Sequence, residues 1–197
     1  MEYAKGTFGS ERYLEVQKAF EDESIKEIHL FGIVRSGKDV IGHSLFSNYM
    51  DTHEHKIFAV VGVDFEHCLN TNIFNEFGLK NLLNVKKDTQ VDNIYKFLDS
   101  SNIIKTIFVI SAKDKWEKYK GYSFAGVYIN EYNIVNKINP KLVQTLKEQT
   151  FPYGKMVYTY NPNRYEKFIE FNLDDNLSLT KTQKEDILKI TKGEYNK

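Results

Sequence analysis

The chain has 197 residues, 41% of them hydrophobic and 27% charged, with 27 basic side chains balanced by 27 acidic ones. That length gives one well-buried domain and leaves too little for two ordinary ones. Zero net charge excludes the basic surplus of a stand-alone nucleic-acid binder, and the single cysteine, Cys68, excludes an internal disulfide or a multi-cysteine zinc site. No run reaches the roughly 18 apolar residues of a membrane span. The N-terminus "MEYAKGTFGSER" lacks the apolar core of a signal peptide, so a cytoplasmic location is expected.

Ser10 followed by "ERYLEVQKAFED" predicts a capped amphipathic helix with Tyr13, Val16 and Phe20 on one face. "EIHLF" (27–31) predicts a short strand, and "KDVIGHSLFSNYM" (38–50) a helix. "KIFAVVG" (56–62) is an uninterrupted apolar run, as in a buried parallel strand, and the spacing of Phe65, Leu69, Ile73 and Phe77 predicts a helix after it. "IIKTIFVISA" (103–112), "FAGVYIN" (124–130) and "KMVYTYN" (155–161) read as further strands, the last two separated by the helical "PKLVQTLKEQ" (140–149). "KFIEFNL" (167–173) reads as an edge strand, and a helix capped by Thr180 closes the chain. Alternating strands and helices predict an α/β fold with a mainly parallel central sheet and helices on both faces. Pro140 falls at a helix start and Pro152 and Pro162 in loops, as that pattern requires.

Between the first strand and its helix stands "FGIVRSGKD" (31–39). Strand, glycine-rich loop and helix is the order of a phosphate cradle, in which backbone amides converge on an anion at a helix N-terminus. A bare GxxxxGK arises by chance in roughly 0.07 of chains of this composition, so the context carries the signal. The nucleotide-binding set is Gly32, Val34, Arg35, Ser36, Gly37, Lys38 and Asp39, with Lys38 placed to neutralise the β- and γ-phosphates. After Gly-Lys such loops normally carry Ser or Thr, whose hydroxyl holds magnesium. Here Asp39 occupies that place. An ATP-hydrolysing site also needs a carboxylate to orient water, commonly at the end of a neighbouring strand. "FAGVYINEY" (124–132) ends in Asn130-Glu131, which makes Glu131 the candidate base and puts an amide where an aspartate normally stands. The expected arrangement is an exchange: Asp39 and Asn130 share the magnesium shell with the usual acid and neutral ligand in swapped places.

The stretch 119–179, "YKGYSFAGVYINEYNIVNKINPKLVQTLKEQTFPYGKMVYTYNPNRYEKFIEFNLDDNLSL", resembles the large terminase subunit of tailed bacteriophages, the ATPase that packs DNA into capsids. In that family a "kGxxFaGxyxdE" strand is followed by a helix, a "P-x-x-K" turn and a strand ending in "T-x-N-P". Gly121, Phe124, Gly126, Glu131, Pro152, Lys155, Thr159, Asn161 and Pro162 fall in this order, and "VRSGK" and the C-terminal tail also look like terminases. The resemblance implies a P-loop NTPase domain over residues 1–173 and a helical connector over 174–197, with ATP and Mg2+ as cofactors. Under it Lys38 contacts phosphates, Glu131 is the catalytic carboxylate, and Thr159 and Asn161 form a coupling motif that senses the γ-phosphate. Arg35 would serve the phosphates of its own nucleotide or of a neighbouring subunit's. Double-stranded DNA, a portal protein and a small terminase subunit are the partners implied, with a homo-oligomeric ring in the working motor and a monomer in isolation. The family's nuclease half would begin where this chain stops, so an ATPase half without nuclease activity is expected.

Two other features admit blander readings. "HEH" (53–55) has metal-ligand spacing but lies in the polar turn "DTHEHK", and His67 and Cys68 stand beyond a strand, so a solvated loop is expected. Trp116 and Tyr119 in "KDKWEKYKGY" mix bases with aromatics as nucleic-acid contacts do, but a helix with lysines on its wet face is preferred. Two alternatives to the motor remain. A phage-type nucleotide kinase would need an arginine cluster, and the chain has only Arg12, Arg35 and Arg164. A scaffold would bind nucleotide or partner proteins without turnover.

Overall fold

The computed structural model describes residues 11–31, 37–88, 91 and 93–160. The expected edge strand at 167–173 and the C-terminal helix lie outside the described residues. The elements in chain order are α1 (Glu11–Glu21), β1 (Glu27–Phe31), α2 (Lys38–Thr52), β2 (Ile57–Gly62), α3 (Phe65–Cys68), a π-turn (Leu69–Ile73) and α4 (Leu79–Leu83). There follow β3 (Lys86–Lys87), β4 (Ile94–Leu98), β5 (Ile104–Ser111), a 3-10 turn (Trp116–Tyr119), β6 (Gly126–Ile129), α5 (Tyr132–Ile138), α6 (Pro140–Thr150) and β7 (Lys155–Tyr160).

The sheet order is β1-β7-β6-β2-β5-β4-β3, parallel from β1 to β5 and antiparallel across β4 and β3. Strand periodicity explains the layers. Ile28, Leu30, Phe58, Val60, Ile107, Val109, Tyr128 and Val157 pack on one face with Tyr13, Val16 and Phe20 of α1 and with Ile41, Leu45, Phe46 and Met50 of α2. Ala59, Val61, Phe108, Ile110, Val127, Ile129, Met156 and Tyr158 turn to the other, against Val135 of α5 and Leu142, Val143 and Leu146 of α6. Helices cover both faces, as the alternation predicts.

Two buried lysines fasten helix ends to strands. Lys105 Nζ, opening β5, donates to the carbonyls of Met50 (2.6 Å), Asp51 (2.8 Å) and His53 (2.6 Å) at the end of α2, and meets Asp99 Oδ2 at 3.0 Å. Lys155 Nζ, opening β7, donates to the carbonyls of Ala19 (3.3 Å), Asp22 (2.6 Å) and Ile25 (2.6 Å) behind α1. Each cation satisfies carbonyls that a helix C-terminus leaves without partners.

Two local expectations need correction. The helix expected through Phe65, Leu69, Ile73 and Phe77 is broken: Phe74 N–H bonds to Leu69 O at 2.8 Å, five residues back, and Asn72 is fully buried. The chain then returns tightly at Gly78, where a Cβ would meet Ile73 O at 2.6 Å. The segment around Trp116 is one 3-10 turn rather than a lysine-faced helix, because Tyr119 is buried and donates to Asp114 Oδ2 at 2.7 Å. α4, β3, β4 and α5 were not expected. The 53–55 turn is a loop with Glu54 and His55 exposed, as expected.

Candidate active site

The parallel strands β1, β7, β6 and β2 end along one edge of the sheet, and the candidate residues gather there. Gly32, Val34, Arg35, Ser36 and Asn161 lie outside the described residues. Gly37 enters α2 at φ 82°, in the left-handed region that glycine tolerates best, and α2 starts with no side-chain cap. A glycine at that place has no side chain of its own to accept from the first turn's N–H groups. Lys38 is buried, and its Nζ lies 3.3 Å from Asp39 Oδ2. The second oxygen, Asp39 Oδ1, is buried with no hydrogen-bond partner among the described residues.

β7 lies between β1 and β6, so one strand separates the loop strand from the strand that carries the carboxylate. Pairing of Ile129 with Tyr158 brings Asn130 beside Thr159. The Asn130 N–H continues the ladder to Val61 O at 2.9 Å, and its Oδ1 accepts from Thr159 Oγ1 at 2.8 Å. Glu131 then turns at φ 52°, ψ 48°, a left-handed conformation costing a non-glycine residue about 1–3 kcal/mol. Its N–H points at Thr159 Oγ1 at 3.4 Å, and its carbonyl accepts from Ile134 (2.9 Å) and Val135 (3.1 Å), starting α5.

Gly37, Asp39, Asn130 and Glu131 line one cavity of about 480 Å³, closed by His43 of α2, His67 of α3 and Thr71, Asn75, Glu76 and Phe77. The structure thus brings the loop end, both exchanged positions and the candidate base to one space, with Lys38 joined through Asp39 and Thr159 through Asn130. The oxygen of Asn130 is also the anchor of Thr159, a tie invisible in the sequence. A larger cavity of about 830 Å³ opens at the opposite end of the sheet, between α1, the end of α2 and the turn before β7; His53, His55, Pro152 and Lys155 line it, but none of the nucleotide-binding or catalytic candidates does.

Sequence reasoning missed His43 and the site placement of His67. His43 is buried four residues after Asp39, its Nε2 3.0 Å from Asn72 Oδ1. Burial pulls its pKa below the usual imidazole range, opposed by Asn72, Asp39 and the Phe77 backbone. His67 Nε2 stands 3.6 Å from Glu131 Oε2. A histidine amid the inward positions of the α2 pattern was the only available sign of the first; the second depends on the pairing of β2 with β6. Burial pushes the Tyr128 hydroxyl well up, with Asp39 adding to the effect, and raises Cys68 to about 12, which makes it an inert core thiol.

No protein-family model matches the chain, and no curated protein is similar to it. Solved structures are. The large terminase of a thermophilic bacteriophage superposes with a TM-score of 0.65 at 22% identity, over 90% of this chain and 49% of that one. The same terminase in complex with ATP-γ-S gives 0.64 at 21% identity, and in complex with ADP 0.63 at 21%, each over 90% of this chain and 48% of that one. The chain spans about half the length of the structures it matches. It has the fold of that thermophilic phage's large terminase over the half that aligns.

Proposed function

We propose that this chain is the ATPase domain of a viral DNA-packaging motor, hydrolysing ATP to drive translocation of double-stranded DNA. One observation carries the proposal: Gly37 and Asp39 from the βα loop line the same cavity as Asn130 and Glu131 from β6, with Thr159 of the intervening strand bonded to Asn130. The fold shared with the thermophilic phage terminase, itself crystallised with ADP and with ATP-γ-S, supports it.

In this mechanism the loop amides and the Lys38 ammonium hold the phosphates. Glu131 takes a proton from water as its oxygen bonds to the γ-phosphorus and the bond to the β-phosphate oxygen breaks, leaving ADP and phosphate. The donor set fits magnesium. Asp39 presents a buried oxygen without a partner among the described residues, Asn130 adds a neutral oxygen, and hard oxygen ligands in small number suit an ion shared with phosphates. Bound there, magnesium would neutralise charge on the triphosphate. Thr159, with Asn161, would relay the nucleotide state along β7.

A portal protein and a small terminase subunit are the proposed partners, and a ring of copies the working form in the host cytoplasm. Zero net charge offers little non-specific DNA attraction, so the isolated chain should be a slow monomeric ATPase. No helix among the described residues is long and apolar enough to cross a membrane. Phosphate release from ATP without an acceptor tests the proposal. ADP formation only when a nucleoside monophosphate is added would favour a kinase, and nucleotide binding without turnover a scaffold.

A further inference from the structure

An imidazole faces the proposed base. His67 Nε2 lies 3.6 Å from Glu131 Oε2, within ion-pair range though longer than a hydrogen bond. The backbone that carries the ring is fixed on every side. The His67 N–H donates to Asp64 Oδ1 at 2.8 Å, and its carbonyl accepts from Thr71 Oγ1 at 2.7 Å. Next to it, Cys68 Sγ contacts Val60 O of β2 at 3.5 Å and accepts from Asn72 Nδ2 at 3.3 Å. The Oδ1 of the same Asn72 meets His43 Nε2 of α2 at 3.0 Å. The π-turn is what delivers Asn72 to this buried position. Such turns recur at functional sites.

His67 Nδ1 is buried with no hydrogen-bond partner. An unmet buried acceptor is tolerated better than an unmet N–H, so the ring proton belongs on Nε2, facing Glu131. Resting on the ATPase reading above, we propose that His67 is the positioning residue for Glu131. Its N–H draws the carboxylate toward the β2 side of the cavity, and the Cys68–Asn72–His43 link ties the turn that carries the ring to the helix that begins at Lys38 and Asp39. The imidazole touches no phosphate in this role; it acts through Glu131.

The test measures ATP turnover, and affinity for a non-hydrolysable ATP analogue, in the whole chain. His67→Ala should lower kcat about 10- to 100-fold, the range that misplacing a catalytic group by an ångström costs. KM and analogue affinity should stay within about twofold. Free imidazole should restore part of the rate. His67→Ala combined with Glu131→Gln should be no slower than Glu131→Gln alone, because the histidine acts only through that carboxylate. An unchanged kcat in His67→Ala, an additive loss with Glu131→Gln, or a loss of affinity and melting temperature without imidazole rescue would each overturn the proposal. No turnover by the unmodified chain, or an undiminished rate in Glu131→Gln, would instead overturn the ATPase reading and this inference with it.

Discussion

Thr159→Val keeps the shape of a fully buried side chain and removes one hydroxyl. That hydroxyl donates to Asn130 Oδ1 at 2.8 Å and receives the longer contact from Glu131 N at 3.4 Å. Asn130 is only 6% exposed, so water can replace the lost donor poorly. A buried acceptor left unmet costs about 1–3 kcal/mol, and the long Glu131 contact adds little, which gives about 2 kcal/mol of lost stability. At a urea slope near 2 kcal/mol/M the midpoint should fall by about 1 M, read from the fluorescence of the single Trp116. The same bonds orient the Asn130-Glu131 turn, so turnover should fall about 10- to 30-fold if about 1.4–2 kcal/mol of that anchorage is felt in the transition state. Thr159→Ser keeps the hydroxyl and loses a methyl, at about 1 kcal/mol with turnover nearly retained. A valine variant as stable and as fast as the parent, or a serine variant slower than the valine one, would refute the anchoring argument.

Glu131→Gln should leave ATP binding nearly intact and lower turnover about 10²- to 10⁴-fold in a phosphate-release assay. Asp39→Ser and Asn130→Asp should each weaken magnesium-dependent turnover, and the double variant should recover much of it; purely additive losses would separate the two positions. Lys105→Met should cost about 3 kcal/mol in urea unfolding, because three carbonyls lose their donor and Asp99 keeps only its Ser101 and Ile103 N–H bonds, and adding Asp99→Asn should return part. His29 should make stability depend on pH. Burial, with Lys147 adding and Glu27 opposing, draws its pKa to about 4. Between pH 4 and 6.5 the unfolded chain then binds the extra proton, so stability should rise with pH there by at most about 1.4 kcal/mol per unit. His29→Gln should flatten that slope in pH-dependent denaturation.

β2 was legible because a strand buried on both faces reads as an unbroken apolar run, and β5 and β7 because β-branched and aromatic residues dominate them. β4 was not. Its Tyr95 and Phe97 alternate with exposed positions, and only pairing with β5 makes them core. The spacing Phe65, Leu69, Ile73, Phe77 imitates a helix, but the buried Asn72 between them bonds to His43 of α2 as well as to Cys68 one turn back, and the turn is stretched there. Gly37, Lys38, Asp39, Asn130 and Glu131 could be singled out because loop and strand-end chemistry is local. The carbonyl cages around Lys105 and Lys155 could not, since a backbone oxygen looks the same under every side chain.

The lysine at the start of β5 makes α2 a lever with a fixed fulcrum. Its far end is held by three carbonyl bonds, while its near end begins at Gly37 and Lys38 beside the cavity. Fifteen residues at 1.5 Å each give an arm of about 22 Å. A tilt of about 5° around the Lys105 knot would therefore swing Lys38 and Asp39 by about 2 Å, twice the ångström-scale misplacement that costs a hundredfold in rate. Under the proposed function, alignment at the cavity would thus depend on how stiffly the opposite end of α2 is tied.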